Sequence, residues 1–304
     1  MSNTPSYWPA VNVPRGRGTS VVDGFAIVLF LDRSIGDDPT PAIKAIELFL
    51  AQPVLAQLHF YVDDDGYTCP LPDDPLAWVA NYVTGHANSG EFTDLRLLDH
   101  EQTGSHFHAR FSHDPSLNPD WPDDKSFVSF RISQEAFSEF GTAATLTLID
   151  HLCMLLPFSY GYASPALFCD NFFEDALPWL RRHPGFDVLD TVAAGCDVGD
   201  RALGSYWINL FGPRLSLALG GAEALRAALP PQAQVHACGH GGCRVVLGDR
   251  PEVGDVNRQI PMPLYRALAA VLQPHLHVPR VTYFTDAAGM PDSDAQVVWH
   301  GRFL

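Results

Sequence analysis

The chain has 304 residues, 46% of them hydrophobic, and carries 35 Asp and Glu against 19 Lys and Arg, for a formal net charge of −16. That is ample material for a core and excludes global disorder. The acid also argues against nucleic acid or an anionic membrane as a partner, because both would be repelled. It is spread unevenly: residues 1–150 hold 21 acids against 8 bases, a balance of −13, and residues 151–304 hold 14 against 11, a balance of −3.

The opening "MSNTPSYWPAVNVPRGRG" has no apolar segment behind a basic one, so a cytoplasmic protein is expected. "GFAIVLFL" (24–31) is apolar throughout and too short for a membrane span, and it reads as a central strand. "DDPTPAIKAIELFLAQ" predicts a helix with Thr40 as N-cap, Pro41 in the first turn, and Ile43, Ile46 and Leu50 on one face. "QLHFYVD" (57–63) is a strand running into the turn "DDDG". In "SHFHARFS" (105–112), Phe107, Ala109 and Phe111 alternate with His106, His108 and Arg110; "SFVSFRI" (126–132) alternates as well, and the two should pair as a hairpin. A long helix follows from Ser133 to Leu156, stopped by Pro157, and its apolar "TAATLTLIDHLCMLL" should make it the most buried helix.

Beyond it, "NFFEDALPWLRRHPG" predicts a short helix. "GSYWINLFGPRLSLALGGAEALRAAL" predicts a strand and then a helix broken at Gly220-Gly221. A hairpin around residue 240, a helix at 263–273, and two C-terminal strands, "RVTYFT" and "QVVWHGRF", complete the chain. Meandering strands with helices between them imply an α+β fold: a single domain over residues 1–304 with a mixed or antiparallel sheet and packed helices.

Two clusters could hold a metal. "VHACGHGGC" (235–243) places His236, Cys238, His240 and Cys243 within nine residues, all good zinc ligands by type. Structural zinc sites, however, draw ligand pairs from well-separated segments, and four ligands in one hairpin would staple little. The stretch therefore reads as a hairpin with small thiols on its strands, Cys243 opposite Cys238. The second cluster is His106, His108 and His113 with Asp114. A metal-dependent hydrolase using His106, His108 and Asp114 is the alternative enzyme reading, set against a plain polar strand face. "DDDG" lacks the alternating acids of a calcium loop, since Tyr61 takes the first position. No nucleophile elbow, phosphate loop or dinucleotide fingerprint is present, and His151 and Cys153 point to different faces of their helix. Six cysteines with no CxxC pair read as reduced thiols. No metal, no other cofactor and no catalysis is expected.

The second half carries a resemblance. Trp207 in an aromatic strand, Leu219-Gly220-Gly221 ahead of a helix, the turn Gly239–Gly242, Pro251 leading to Gly254-Asp255, and Tyr265-Arg266 on a helix occur in an order similar to that of the type VI secretion immunity protein family, first catalogued as a domain of unknown function. "LLPFSYGYASPAL" and "HPGFDV" fit the same layout, and the likeness is best over about residues 155–275. The resemblance implies an α+β fold and a partner: a cognate toxic effector, in some cases a nuclease. It also implies that the His and Cys hairpin is structural, and that Asp255 is a turn residue accepting backbone N–H bonds.

A nuclease grips phosphate with a cationic surface, so the acidic first half gains meaning as the side that meets it. The acids expected to face the toxin are Asp63, Asp64, Asp65, Asp73, Asp74, Asp123 and Asp124, all on loops. Trp207, Gly220, Gly221, Gly254, Asp255 and Tyr265 are assigned to the scaffold.

Overall fold

The apolar run near the start of the chain becomes the axis of the sheet. The computed structural model describes residues 7–15, 18–32, 38–52, 58–63, 65–89, 93–99, 108–113, 123–169, 173–188, 190–282, 284–286 and 288–304. The first seven strands are β1 (Asn12–Arg15), β2 (Gly18–Leu31), β3 (Phe60–Val62), β4 (Thr68–Pro70), β5 (Thr93–Leu98), β6 (His108–His113) and β7 (Phe127–Ser133). Four more follow: β8 (Phe158–Phe168), β9 (Ile208–Phe211), β10 (Ala233–Ala237) and β11 (Cys243–Leu247). They form one eleven-stranded sheet in the order β10-β11-β9-β8-β2-β7-β6-β5-β3-β4, with β1 added beside β2. All its strand pairs are antiparallel.

This order has a consequence for charge. Every strand from the first 150 residues lies on one side of the β2–β8 seam, and every later strand lies on the other. The strands of the sequence's acidic half and those of its near-neutral half thus occupy the two sides of one sheet. Along the seam, β2 pairs with β8 from Val22↔Phe168 to Leu31↔Phe158, and every residue of β8 is buried.

The helices are α1 (Thr40–Leu50), α2 (Pro75–Ser89), α3 (Gln134–Leu155), α4 (Phe173–Arg182), α5 (Thr191–Gly195), α6 (Pro213–Ala218), α7 (Gly221–Ala228), α8 (Pro263–Leu272) and α9 (Ser293–His300). They cover both faces, as period-two alternation in the strands requires. Phe25 turns to the α3 face, where its ring stacks on Phe137 at 4.4 Å and meets Trp207 edge-on at 5.8 Å. Ala26 turns the other way, into a small cluster with Val22, Ala166 and Phe168, and Arg131 lies over the Phe168 ring. The break between α6 and α7 is made by Gly220 and Gly221, both in the left-handed region (φ 81° and 76°).

The two sheet edges end differently. β4 has only three residues and closes on Pro70. On β10, Arg226 of α7 donates from Nε and Nη2 to the Val235 carbonyl, at 3.1 and 2.9 Å.

The expected β6–β7 hairpin is present, with Ser112 opposite Phe127 and His108 opposite Arg131. Several details differ from expectation. The N-cap of α1 is Pro39, with no side-chain bond, and its buried face is Ala42, Ala45, Ile46 and Phe49 rather than Ile43 and Leu50. The second half of α3 is amphipathic: Thr145, Leu148, Ile149, Leu152 and Cys153 pack inward, and Met154 is 65% exposed. "QVVWHGRF" is not a strand. Asp292 accepts a hydrogen bond from Ala295 N and starts α9, which buries Gln296, Trp299 and His300 on one side. That spacing is helical, and the β-branched Val297 and Val298 that suggested a strand face outward. The described part of "RVTYFT" makes only an isolated bridge, Thr285↔Pro291.

Candidate partner-binding surface

The acidic loops sort by what their carboxylates are already bonded to. Asp63 builds the β3–β4 turn: its Oδ1 accepts from Asp65 N (3.1 Å) and Tyr67 N (2.7 Å), and its backbone N donates to the Tyr67 carbonyl. This is the local side-chain bonding that makes Asp a turn residue. Asp65 beside it is exposed, as is Tyr67. Asp73 is exposed; Asp74 is exposed and caps α2, accepting from Ala77 N at 3.0 Å. Asp64 lies outside the described residues.

The strand register shows which loops share a rim. Val62 pairs with Arg96, Asp94 with Ser112, and Ser112 with Phe127. The turn after Val62 and the segment Asp123–Lys125 before Phe127 therefore lie at one end of the sheet, three strand spacings or roughly 14 Å apart. Asp73 and Asp74 follow Pro70, which pairs with Phe60, so they lie at the opposite end. The acids bracket the β4 edge instead of forming one patch.

The Asp123 loop is also electrically different. Arg201 donates to Asp123 at 2.9 Å, Lys125 lies 3.9 Å from both Asp32 and Asp200, and Arg214 bonds both of those aspartates. Three carboxylates and three cations balance there, and Asp124 beside them is half-buried. Of the candidate loop acids among the described residues, Asp65, Asp73 and Asp74 are thus the exposed ones outside that network.

The scaffold residues lie in the other half. Trp207 is fully buried, with Nε1 donating to the Gly248 carbonyl at 3.3 Å. Tyr265 is buried with Leu268 and Leu272, its hydroxyl accepting from Glu252 N; burial pushes its pKa up. Gly254 has φ 65°. Asp255 accepts from Asn257 N (3.0 Å) and Arg258 N (3.2 Å), as a turn Asp should. Its main partner, Arg182 at the end of α4, was not foreseen: Nη2 donates to Oδ2 at 2.9 Å, with Nε 3.3 Å from both oxygens. This pairing holds the Asp255 carboxyl down at about 2. The adjacent His183 donates from Nδ1 to the Gly254 carbonyl at 2.6 Å. "RRH" ahead of Pro-Gly and an isolated Gly-Asp seventy residues later give no hint of each other, so only the fold reveals this clasp.

The metal-ligand candidates are dispersed. In the β10–β11 hairpin, His236 faces Arg244 and Ala237 faces Cys243, so Cys238 does not oppose Cys243 as expected but pairs with Gly242. His236 is exposed, Cys243 is buried and accepts from Ser216 Oγ at 3.4 Å, and His240 donates from Nε2 to the Met154 carbonyl. No group of three potential ligands occurs among the described residues. His106 and Asp114 lie outside them, and His108 and His113 occupy opposite ends of β6.

The family model for TsiV, type VI immunity for VRR-NUC, matches residues 43–303, well beyond the segment that carried the resemblance. No curated protein matches the chain. Among solved structures, the Pseudomonas aeruginosa T6SS protein PA0821 is similar in fold at 16% identity, with a TM-score of 0.78 over 94% of this chain and 82% of that one. Fold, motif order and family match agree: this chain belongs to the family of type VI secretion immunity proteins for VRR-NUC effectors.

Proposed function

We propose that the protein binds a cognate type VI toxin of the VRR-NUC nuclease class and neutralises it by steric and electrostatic blocking, without turnover by this chain. The single observation that carries the reading beyond family membership is the uneven charge of the two halves, −13 in residues 1–150 against −3 in the remainder, whose strands lie on opposite sides of the β2–β8 seam. A nucleic-acid-cutting partner needs a cationic surface, and complementary fields raise association rate and bias partner choice. The whole chain acts as one binding unit in the cytoplasm, its β4 side facing the toxin. Asp63, Asp64, Asp65, Asp73, Asp74, Asp123 and Asp124 are the proposed contact acids, with Asp65, Asp73 and Asp74 contributing most because they are exposed and lie outside the Lys125–Arg214 network. No helix among the described residues is long and apolar enough to cross a membrane.

The test is kinetic. The effector encoded beside this chain is mixed with the purified protein, and both rate constants are measured at two salt concentrations. Direct binding is expected, with an association rate that falls as salt screens charge over about 8 Å at physiological strength. Failure of that effector to bind defeats the reading. Measuring bound metal in the same preparation tests the hydrolase alternative, which requires a stoichiometric ion.

A further inference from the structure

The turn joining β10 to β11 is clamped on the last turns of α3. A Cβ at Gly239 would lie 2.3 Å from the Cys153 carbonyl oxygen, so turn and helix backbones are in direct contact. His240 reaches the Met154 carbonyl at 3.2 Å, and Arg244 is paired with Asp150 one helical turn back. This clamp brings two thiols together from distant parts of the chain. Cys153 is fully buried on α3, Cys238 is partly exposed where the turn begins, and the contact of Gly239 with the Cys153 carbonyl sets the two thiols near enough to influence each other's ionisation. A Cβ at Gly242 would come 3.3 Å from Cys238 Sγ, so that sulfur is also packed against its own turn.

We propose that Cys153 and Cys238 form a reversible disulfide, a covalent staple between α3 and the β10–β11 hairpin, when the protein meets a small organic disulfide of the glutathione type. The division of labour follows from position. Cys238 is the sulfur that solvent reaches, and its pKa is lowered, chiefly by the neighbouring Cys153 thiol and secondarily by the Arg244 cation. The Cys153 pKa is raised, first by the neighbouring Cys238 and then by burial, so it keeps its proton until an electrophile arrives. Attack by the Cys238 thiolate on one sulfur of the organic disulfide breaks the S–S bond and expels one thiolate, leaving a mixed disulfide on Cys238. Cys153 then loses its proton and attacks Cys238 Sγ, expelling the second small thiol. The protein dithiol is oxidised by two electrons, one organic disulfide is reduced, and the two released thiols take up the two protons. The backbone contact at Gly239 holds both cysteines at one junction, and bonding requires their sulfurs to close to roughly 2 Å. Cys243 is not the resolving partner, because it is out of register with Cys238 and its sulfur is hydrogen-bonded by Ser216.

The full-length protein is incubated in graded ratios of oxidised to reduced glutathione. Free thiols are then blocked and the peptides mapped by mass spectrometry. The expected product is a peptide pair joined through Cys153 and Cys238, reversed by dithiothreitol, with a higher melting temperature than the reduced chain, since the staple closes a long loop. Cys153→Ala should instead accumulate a lasting glutathione adduct on Cys238, and Cys238→Ser should leave Cys153 unmodified. A lasting adduct on Cys238 of the unsubstituted chain, a Cys238–Cys243 link, or no reaction at either sulfur overturns the proposal. So does a Cys153–Cys238 link that leaves the melting temperature unchanged.

Discussion

In the second half of the chain, several enclosed charges are bonded within the fold. Asp255 holds Arg182, and Asp197 binds His277 at 2.8 Å and the backbone N of Arg280 at 2.8 Å. Arg302 lies 4.0 Å over the Trp299 ring and donates to the Pro184 carbonyl. On the β3–β4 side, Asp65, Asp73 and Asp74 are exposed to water, and the Asp74 carboxylate also caps the α2 N-terminus. The same side chain therefore does two jobs. Enclosed and bonded, it fixes one arrangement of the backbone; exposed, it contributes a field that reaches beyond the molecule. Substitutions on the first side should change stability, and those on the second should change encounter.

The sharpest way to test this division is Trp207→Ala. The side chain is fully buried between Phe25, Phe137 and the Gly248 carbonyl, so its loss should cost roughly 3–5 kcal/mol in chemical denaturation. An unchanged midpoint with lost toxin binding would break the comparison, because it would make Trp207 a contact.

Acidification should come next. Burial lowers the His300 pKa to about 4, where its Nδ1–H donates to the Leu203 carbonyl. The unfolded chain takes up this proton near pH 6.5 and the folded chain only near 4, so stability should fall as pH drops through that window, by an amount on the order of 3 kcal/mol. His300→Gln should flatten the loss in a pH series of denaturation curves. Asp255 acts lower down: its contribution persists above its ordinary range and disappears as pH falls towards about 2.

Asp74→Ala removes an N-cap and should cost about 1 kcal/mol, which a urea titration resolves. The smallest stability effect belongs to Asp65→Lys, within about 0.5 kcal/mol of the parent. Stopped-flow mixing with the effector should nevertheless show slower association with little change in dissociation. If Asp65→Lys alters neither rate, the toxin does not meet the β3–β4 turn.

The legible parts of the fold were those where local pattern and tertiary role agree. "GFAIVLFL" is a central strand because nothing in it tolerates water, and Ser133 starts α3 by accepting from Ala136 N. The seam strand β8 was passed over because Gly161 and Pro165 look like punctuation. Their reason is tertiary: a Cβ at Gly161 would lie 2.7 Å from the Val28 carbonyl, and Pro165 lies past Ala163↔Ile208, where pairing with β9 ends. α2 was missed too, its apolar periodicity weakened by Gly85 and two Asn. Of the acidic surface, composition showed which half carries the charge. The balanced network around Lys125 and Arg214 could not be read, since its members come from residues 32, 123–125, 200–201 and 214.

The ten-strand path from β10 to β4 ends in two rows of backbone groups on which another strand could grow, and each row is interrupted. At β10 the outward carbonyl of Val235 is occupied by both nitrogens of Arg226, and at β4 the ladder is three residues long and ends in a proline that has no N–H to offer. A second copy approaching either edge finds its hydrogen-bond template blunted. The molecule can thus accumulate ahead of its target without knitting itself into larger sheets, and its recognition is left to side chains rather than to bare backbone.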